Sequence, residues 1–157
     1  MMCMLKKGDK FVDFELVNTD LKKIKLSEHL NGKVALVFYP GAFTSVCEKE
    51  LCSFRDMIAK FNNINAKVFG ISVDSPFSNK AFAEKNHLSF DLLSDFGGKV
   101  SEKYGGIHKN FIGIENYTVS KRAVYIIDEN GTIIYDWVSD DPGKEPLYDE
   151  IEKILEQ

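Results

Sequence analysis

The chain has no long apolar run, no CxxC cysteine pair and almost no arginine. Its longest apolar stretch, VALVFY at 34–39, is far too short to cross a bilayer, and MMCMLKKGDK at the N-terminus lacks the apolar segment of a signal peptide. A cytoplasmic location with no membrane partner is therefore expected. The net charge of −4 is unrelieved by any basic stripe, so the electrostatic footprint of a nucleic-acid binder is missing. Three cysteines are an odd number for a secreted disulfide framework, and a reducing compartment would keep them free for chemistry. The CxxC spacing of a dithiol oxidoreductase acting on protein disulfides does not occur. His29, His87 and His108 are scattered, and the C-x4-C of Cys47 and Cys52 has no matching second pair, so neither a metal nor another cofactor is expected. Repeats, linkers and low-complexity segments are also missing.

What remains is ordinary for a globular chain. Apolar residues make up 44% and charged residues 28%, which argues against disorder and against a collagen-like chain. The 157 residues fit one domain, 1–157, long enough to bury roughly 70% of the surface its unfolded form would expose. Of the twenty basic residues only Arg55 and Arg122 are arginine. In a chain that otherwise uses lysine, each is a place to look for work that needs a rigid, planar, permanently charged fork.

Hydropathy alternates along FVDFELVN (11–18) as in a strand, and KKIKLSEHLNGK suggests a short strand and a helical turn with Ser27 as N-cap and Gly32 closing it. KVALVFYP (33–40) is continuously β-branched and aromatic, the pattern of a strand buried on both faces. From Ser45 a helical stripe of Val46, Leu51, Phe54, Ile58 and Phe61 runs to a stop at Asn62 and Asn63. KVFGISVD (67–74) reads as a second buried strand, followed by a helix with Ser75 as N-cap and Pro76 at its first position. FDLLSD, a short helix in GGKVSEKYG, a turn-rich stretch from Gly105 to Ser120, a hairpin of RAVYIID and TIIYDWV around ENG, and an amphipathic helix in EPLYDEIEKILEQ complete the chain. Strands and helices alternate first, then a hairpin and a helix follow. That order predicts an α/β thioredoxin-like fold, a mixed central sheet flanked by helices.

The chemistry concentrates in PGAFTSVCEKELC (40–52). With Ser45 as N-cap and Glu48 completing an SxxE capping box, Cys47 lies in the first helical turn. There its N–H has no intrahelical acceptor and the positive end of the helix dipole favours a thiolate, which predicts a lowered thiol pKa. The bland alternative is a small apolar residue at a helix start. Thr44 carries a hydroxyl that both donates and accepts just outside the helix, or else caps it. Pro40 either stiffens the loop and shields the sulfur or simply ends the strand.

PGAFTSVC matches the PxxxTxxC motif of peroxiredoxins. FYPGAFTSVCEKELCSFRD more narrowly resembles the Q type, also called bacterioferritin comigratory protein, and the likeness extends from GDKFVDFEL through ISVDS and LLSD to RAVYIIDENG. The resemblance implies that Cys47 attacks the terminal oxygen of a hydroperoxide substrate. It also implies that Thr44 hydrogen-bonds the peroxide, that Pro40 shields the thiolate, and that Arg122 stabilises it. A guanidinium beside sulfur would also hold the oxygens as charge moves to the leaving group. For Arg122 the alternative is a strand-end surface charge. Arg55 reads as a structural partner of a nearby carboxylate, and Glu50 as either an acceptor for Arg122 or a solvated helix charge.

In many Q-type members a second cysteine five residues after the first resolves the sulfenic acid, and Cys52 matches it. The resemblance thus implies an intramolecular Cys47–Cys52 disulfide recycled by a thioredoxin-like dithiol, in a monomer or weak homodimer. On a regular helix, however, five residues separate Cα atoms by roughly 8 to 9 Å, beyond the roughly 7 Å reach of a bridge. The first turns would have to unwind before the sulfurs meet. Alternatively Cys52 is a buried helix residue and an external thiol resolves Cys47. A noncatalytic binding module on the same fold is the rival from another class. Cys3 is expected to be an exposed bystander. Val12 departs from the family pattern, standing in GDKFVDF where proline is usual, and no long C-terminal tail carries a further cysteine, unlike the peroxiredoxins that resolve across a dimer.

Overall fold

Strand β3 (Lys33–Phe38) is the axis of the molecule. Its side chains alternate between two apolar layers, Val34, Leu36 and Phe38 on one face and Ala35 and Val37 on the other, none of them accessible to solvent. This double burial is what its unbroken apolar sequence predicts. In the computed structural model, which describes residues 4–60 and 66–157, β3 pairs in parallel with β4 (Ala66–Ser72) and antiparallel with β8 (Arg122–Ile127).

The remaining strands are β1 (Glu15–Val17), β2 (Lys23–Lys25), β5 (Asp91–Ser94), β6 (Ile107–His108), β7 (Val119–Ser120) and β9 (Ile133–Ser139). Among the described residues, seven of the nine strands form one mixed sheet in the order β2-β1-β5-β4-β3-β8-β9, and β6 and β7 form a separate two-stranded ribbon. On one face lie α1 (Ser45–Lys60), α2 (Pro76–Lys85) and α4 (Tyr148–Glu156), which contribute Leu51, Phe54, Phe82, Ile151 and Leu155 to the core. The other face is covered by Phe14, Leu26 and Tyr104, the last just beyond α3 (Lys99–Lys103).

The expected helices, the buried strands and the closing hairpin are present, and the mixed sheet between helices is thioredoxin-like. Ser75 caps α2 as expected, its hydroxyl accepting from Ser78 N at 3.1 Å. Two local expectations change. The strand expected over 11–18 is cut to three residues, because Phe11 N donates to the Gly131 carbonyl and Val12 N to the Tyr104 hydroxyl instead of to a ladder. Ser27 is not a cap: it lies inside a 3₁₀ turn, Leu26–His29, and its N–H donates to Asp13 Oδ1. The expected helix stop at 61–63 and Cys3 lie outside the described residues. Among the described residues no helix is long and apolar enough to cross a membrane.

Candidate active site

Helix α1 starts where β3 runs out. Tyr39 N still donates to the Ile71 carbonyl, and the buried Pro40, with no N–H to offer, ends the ladder. The chain then turns sharply at Phe43, whose φ of 66° is unusual for a non-glycine residue. Asp74, beyond β4, steadies this loop by accepting from Ala42 N and from the Ser72 hydroxyl, both at 2.8 Å.

The first intrahelical bond is Glu48 N to the Thr44 carbonyl, 3.0 Å, so Thr44 occupies the capping position rather than Ser45. The expected capping box does not form, because the Glu48 carboxylate pairs with Lys85 Nζ at 3.0 Å. The Thr44 hydroxyl donates to the Gly41 carbonyl at 2.9 Å. Cys47 is nevertheless the third residue of the helix, and it is fully buried as a free thiol.

Arg122 opens β8, and the register that pairs Phe38 with Ala123 brings it alongside the end of β3. Ligand sites of open α/β sheets collect at this carboxyl edge of the parallel strands. Arg122 is 1% exposed, and a charge so buried needs partners. Its Nη2 donates to Cys47 Sγ at 3.1 Å, bridging 75 positions of sequence. Nη1 meets Glu50 Oε1 at 2.9 Å, and Nε and Nη2 both donate to the Pro142 carbonyl, at 3.1 and 2.8 Å. Arg122 is therefore no surface charge, and Glu50 is its buried partner rather than a solvated one. Arg55 pairs with Asp56 at 3.0 Å and also donates to the Asn86 carbonyl at 2.6 Å.

The electrostatics differ from the sequence expectation in one respect. Burial pushes the Cys47 thiol above its ordinary range. The Arg122 guanidinium, the Thr44 hydroxyl and the Gly41 backbone pull it back only in part. Position in the first turn predicted a lowered value, but the desolvation of a fully buried sulfur wins. Glu50 is pushed up to about 8 by burial, against the pull of Arg122, and among the described residues its Oε2 has no hydrogen-bond partner. One guanidinium thus serves two acids.

Arg122, which bonds the sulfur, also lines a cavity of about 200 Å³ together with Pro40, Thr44, Val46, Phe111 and Pro142, among others. Of the site residues taken from the sequence, Pro40, Thr44 and Arg122 line this cavity, and the buried Cys47 joins them through its hydrogen bond with Arg122. Cys52, one and a half turns along α1, is outside this cavity and half-buried, its thiol donating to Asn86 Oδ1 at 3.6 Å. Sequence reasoning missed Pro142 and Phe111. A backbone carbonyl acceptor has no residue signature, and Phe111 comes from the stretch whose structure was not assigned.

Fold and site together define a thioredoxin-like α/β protein that buries a first-turn cysteine against an arginine. The chain belongs to the AhpC/TSA family, which matches residues 7–136. It is 39% identical over 127 residues to the chloroplastic peroxiredoxin Q of Gentiana triflora, an alignment covering 81% of this chain and 56% of that protein. With the chloroplastic peroxiredoxin Q of Triticum aestivum it shares 39% over 129 residues, 82% of this chain and 57% of that one. The chain therefore spans somewhat more than half the length of these curated relatives. Among solved structures it is similar to peroxidoxin BcpB from Mycobacterium tuberculosis, with a TM-score of 0.84, 32% identity and 97% of each chain covered. A peroxiredoxin-like protein from Aquifex aeolicus superposes with a TM-score of 0.84 at 26% identity, over 98% of this chain and 88% of that one. The resemblance to Q-type peroxiredoxins read from residues 38–56 holds. A cytoplasmic location finds no support in plant relatives that are named chloroplastic.

Proposed function

We propose that this protein is a thiol-dependent peroxidase that reduces hydrogen peroxide and small organic hydroperoxides. The observation that carries the reading is the 3.1 Å hydrogen bond from buried Arg122 Nη2 to Cys47 Sγ. Arg122 opposes the burial that raises the Cys47 thiol, and so favours the thiolate, the form that attacks peroxide, over what burial alone would leave. In the step, sulfur bonds to the terminal peroxide oxygen and the O–O bond breaks. The leaving oxygen takes up a proton to become water or an alcohol, and Cys47 is left as sulfenic acid. Arg122 and Thr44 line the adjoining cavity, where Arg122 has the charge to favour the anion developing on the leaving oxygen.

Cys52 then attacks the sulfenic sulfur. An S–S bond forms, the S–O bond breaks and the hydroxyl leaves as water with the proton shed by the Cys52 thiol. A thioredoxin-like dithiol reduces the bridge, in a reducing compartment that keeps both thiols free. A monomer or weak homodimer is enough for this cycle, in which one domain supplies both cysteines. A second reading, resolution by an external thiol, draws support from the intact helix: both cysteines sit within α1, where five residues put their Cα atoms roughly 8 to 9 Å apart.

Mass spectrometry after one equivalent of peroxide separates the two. A Cys47–Cys52 disulfide is expected, whereas a persistent sulfenic acid at Cys47 means external resolution. If Cys47→Ser kept full peroxide consumption, another group would carry the chemistry, and if the wild-type chain consumed no peroxide it would be a binding module; either result would make the proposal wrong.

A further inference from the structure

The second arginine explains what keeps Cys52 in place. Cys52 faces the C-terminal end of α2, where Asn86 follows the last helical residue and turns three of its groups to use. Its Oδ1 accepts from the Cys52 thiol at 3.6 Å, its carbonyl accepts from Arg55 Nη1 at 2.6 Å, and its Nδ2 donates to the Phe82 carbonyl at 3.1 Å. The side chain therefore ties Cys52 to the frame of α2, while the backbone ties Arg55, one turn further along α1, to the same residue. Lys85 adds a clasp one position earlier by pairing with Glu48 at 3.0 Å, though that pair is largely solvated and worth little.

These contacts matter because of what resolution requires. Resting on the proposed role of Cys52, the bridge to Cys47 needs the start of α1 to unwind and the Cys52 thiol to leave its acceptor. Every contact between Asn86 and α1 stabilises the packed form, in which Cys47 reacts with peroxide, and none touches Cys47, Arg122 or the adjoining cavity. We propose that Asn86, held by Arg55, is a positioning residue that retains Cys52 in the packed helix and so sets the rate of disulfide formation. The balance of the step is unchanged: peroxide has already oxidised Cys47, and Cys52 displaces its hydroxyl as water.

The test is stopped-flow oxidation of the wild-type chain, Asn86→Ala and Arg55→Lys. It follows the peroxide-dependent phase of sulfenic acid formation and the peroxide-independent phase of disulfide formation. Asn86→Ala removes the acceptor, and Arg55→Lys keeps the charge while losing the fork that reaches the carbonyl. In each, disulfide formation should quicken by roughly three- to tenfold, the effect of removing one modest hydrogen bond from the state that must open, with the first phase unchanged. Faster resolution should also raise the peroxide excess needed to drive Cys47 to sulfinic acid, whereas damage to the Cys47 end would instead slow the first phase.

Acceleration in either variant supports the proposal. If the wild type forms the bridge and both variants form it no faster, the positioning role fails while Cys52 keeps its resolving role. If none of the three forms it, the resolving role fails and takes this inference with it.

Discussion

The two cysteines of α1 share a helix and little else. Cys47 is sealed at the first turn and bonded to an arginine from a strand 75 residues away, so its environment is tertiary and charged. Cys52 is half-buried against the end of α2, where Asn86 gives it a neutral acceptor. One thiol is desolvated and faces a permanent cation, the other is half-buried and donates to a neutral amide. Identical side chains five residues apart thus acquire different chemistry from what each face of the helix meets.

Removing the charge from the Cys47 end should produce the largest difference. Arg122→Ala is expected to lower the second-order rate with peroxide by on the order of 100- to 1000-fold, the usual cost of deleting a donor that holds developing negative charge. It should also move the thiol titration upward, since burial would no longer be opposed by the guanidinium. The same variant leaves Cys52 in contact with Asn86. A rate within about threefold of wild type would mean that the arginine contact is structural only.

A smaller and more diagnostic change is Glu50→Gln. Burial raises the Glu50 pKa from 4.5 to about 8, so the folded state keeps a proton that the unfolded state has lost across that window. The stability this group contributes is therefore full below about 4.5 and disappears as pH rises through about 8. Glutamine does not titrate, so the variant should show a flatter stability profile over that range in denaturant titrations. With the competing carboxylate gone, the guanidinium answers to Cys47 alone and the thiol should titrate lower than in the wild type. A stability curve that still falls as steeply, or a thiol that does not move, would show that Glu50 is not coupled to Cys47 in this way.

The Cys47 end was also the more legible in the sequence. Pro40, Thr44 and Cys47 lie in one eight-residue stretch between a buried strand and a helix, and local patterns report such short-range arrangements well. Arg122 stood out as one of two arginines at the start of a buried strand. The sign of the thiol shift was not legible, because burial depends on the tertiary core that Cys47 shares with Leu51, Phe54 and Val124 and on no feature of the motif itself. Asn86 was invisible for a related reason: nothing in KNHL distinguishes a helix-end asparagine from one that reaches a cysteine 34 residues away. The shortened β1 shows the same limit, since its alternation was correct but Tyr104 and Gly131 had claimed its donors.

The smallest expected effect separates stability from chemistry at the Cys52 end. Ser75 caps the far end of α2, ten residues before Lys85, and its hydroxyl is the acceptor for Ser78 N. Ser75→Ala should cost about 1 kcal/mol, the ordinary value of an N-cap, and lower the melting temperature by roughly 2 to 4 °C. The Asn86 end of the helix remains packed on Cys52 and Arg55, so neither the peroxide phase nor disulfide formation should change. If Ser75→Ala quickened the bridge as much as Asn86→Ala, fraying of α2 as a whole, rather than the particular contact with Cys52, would govern how readily the second cysteine is released.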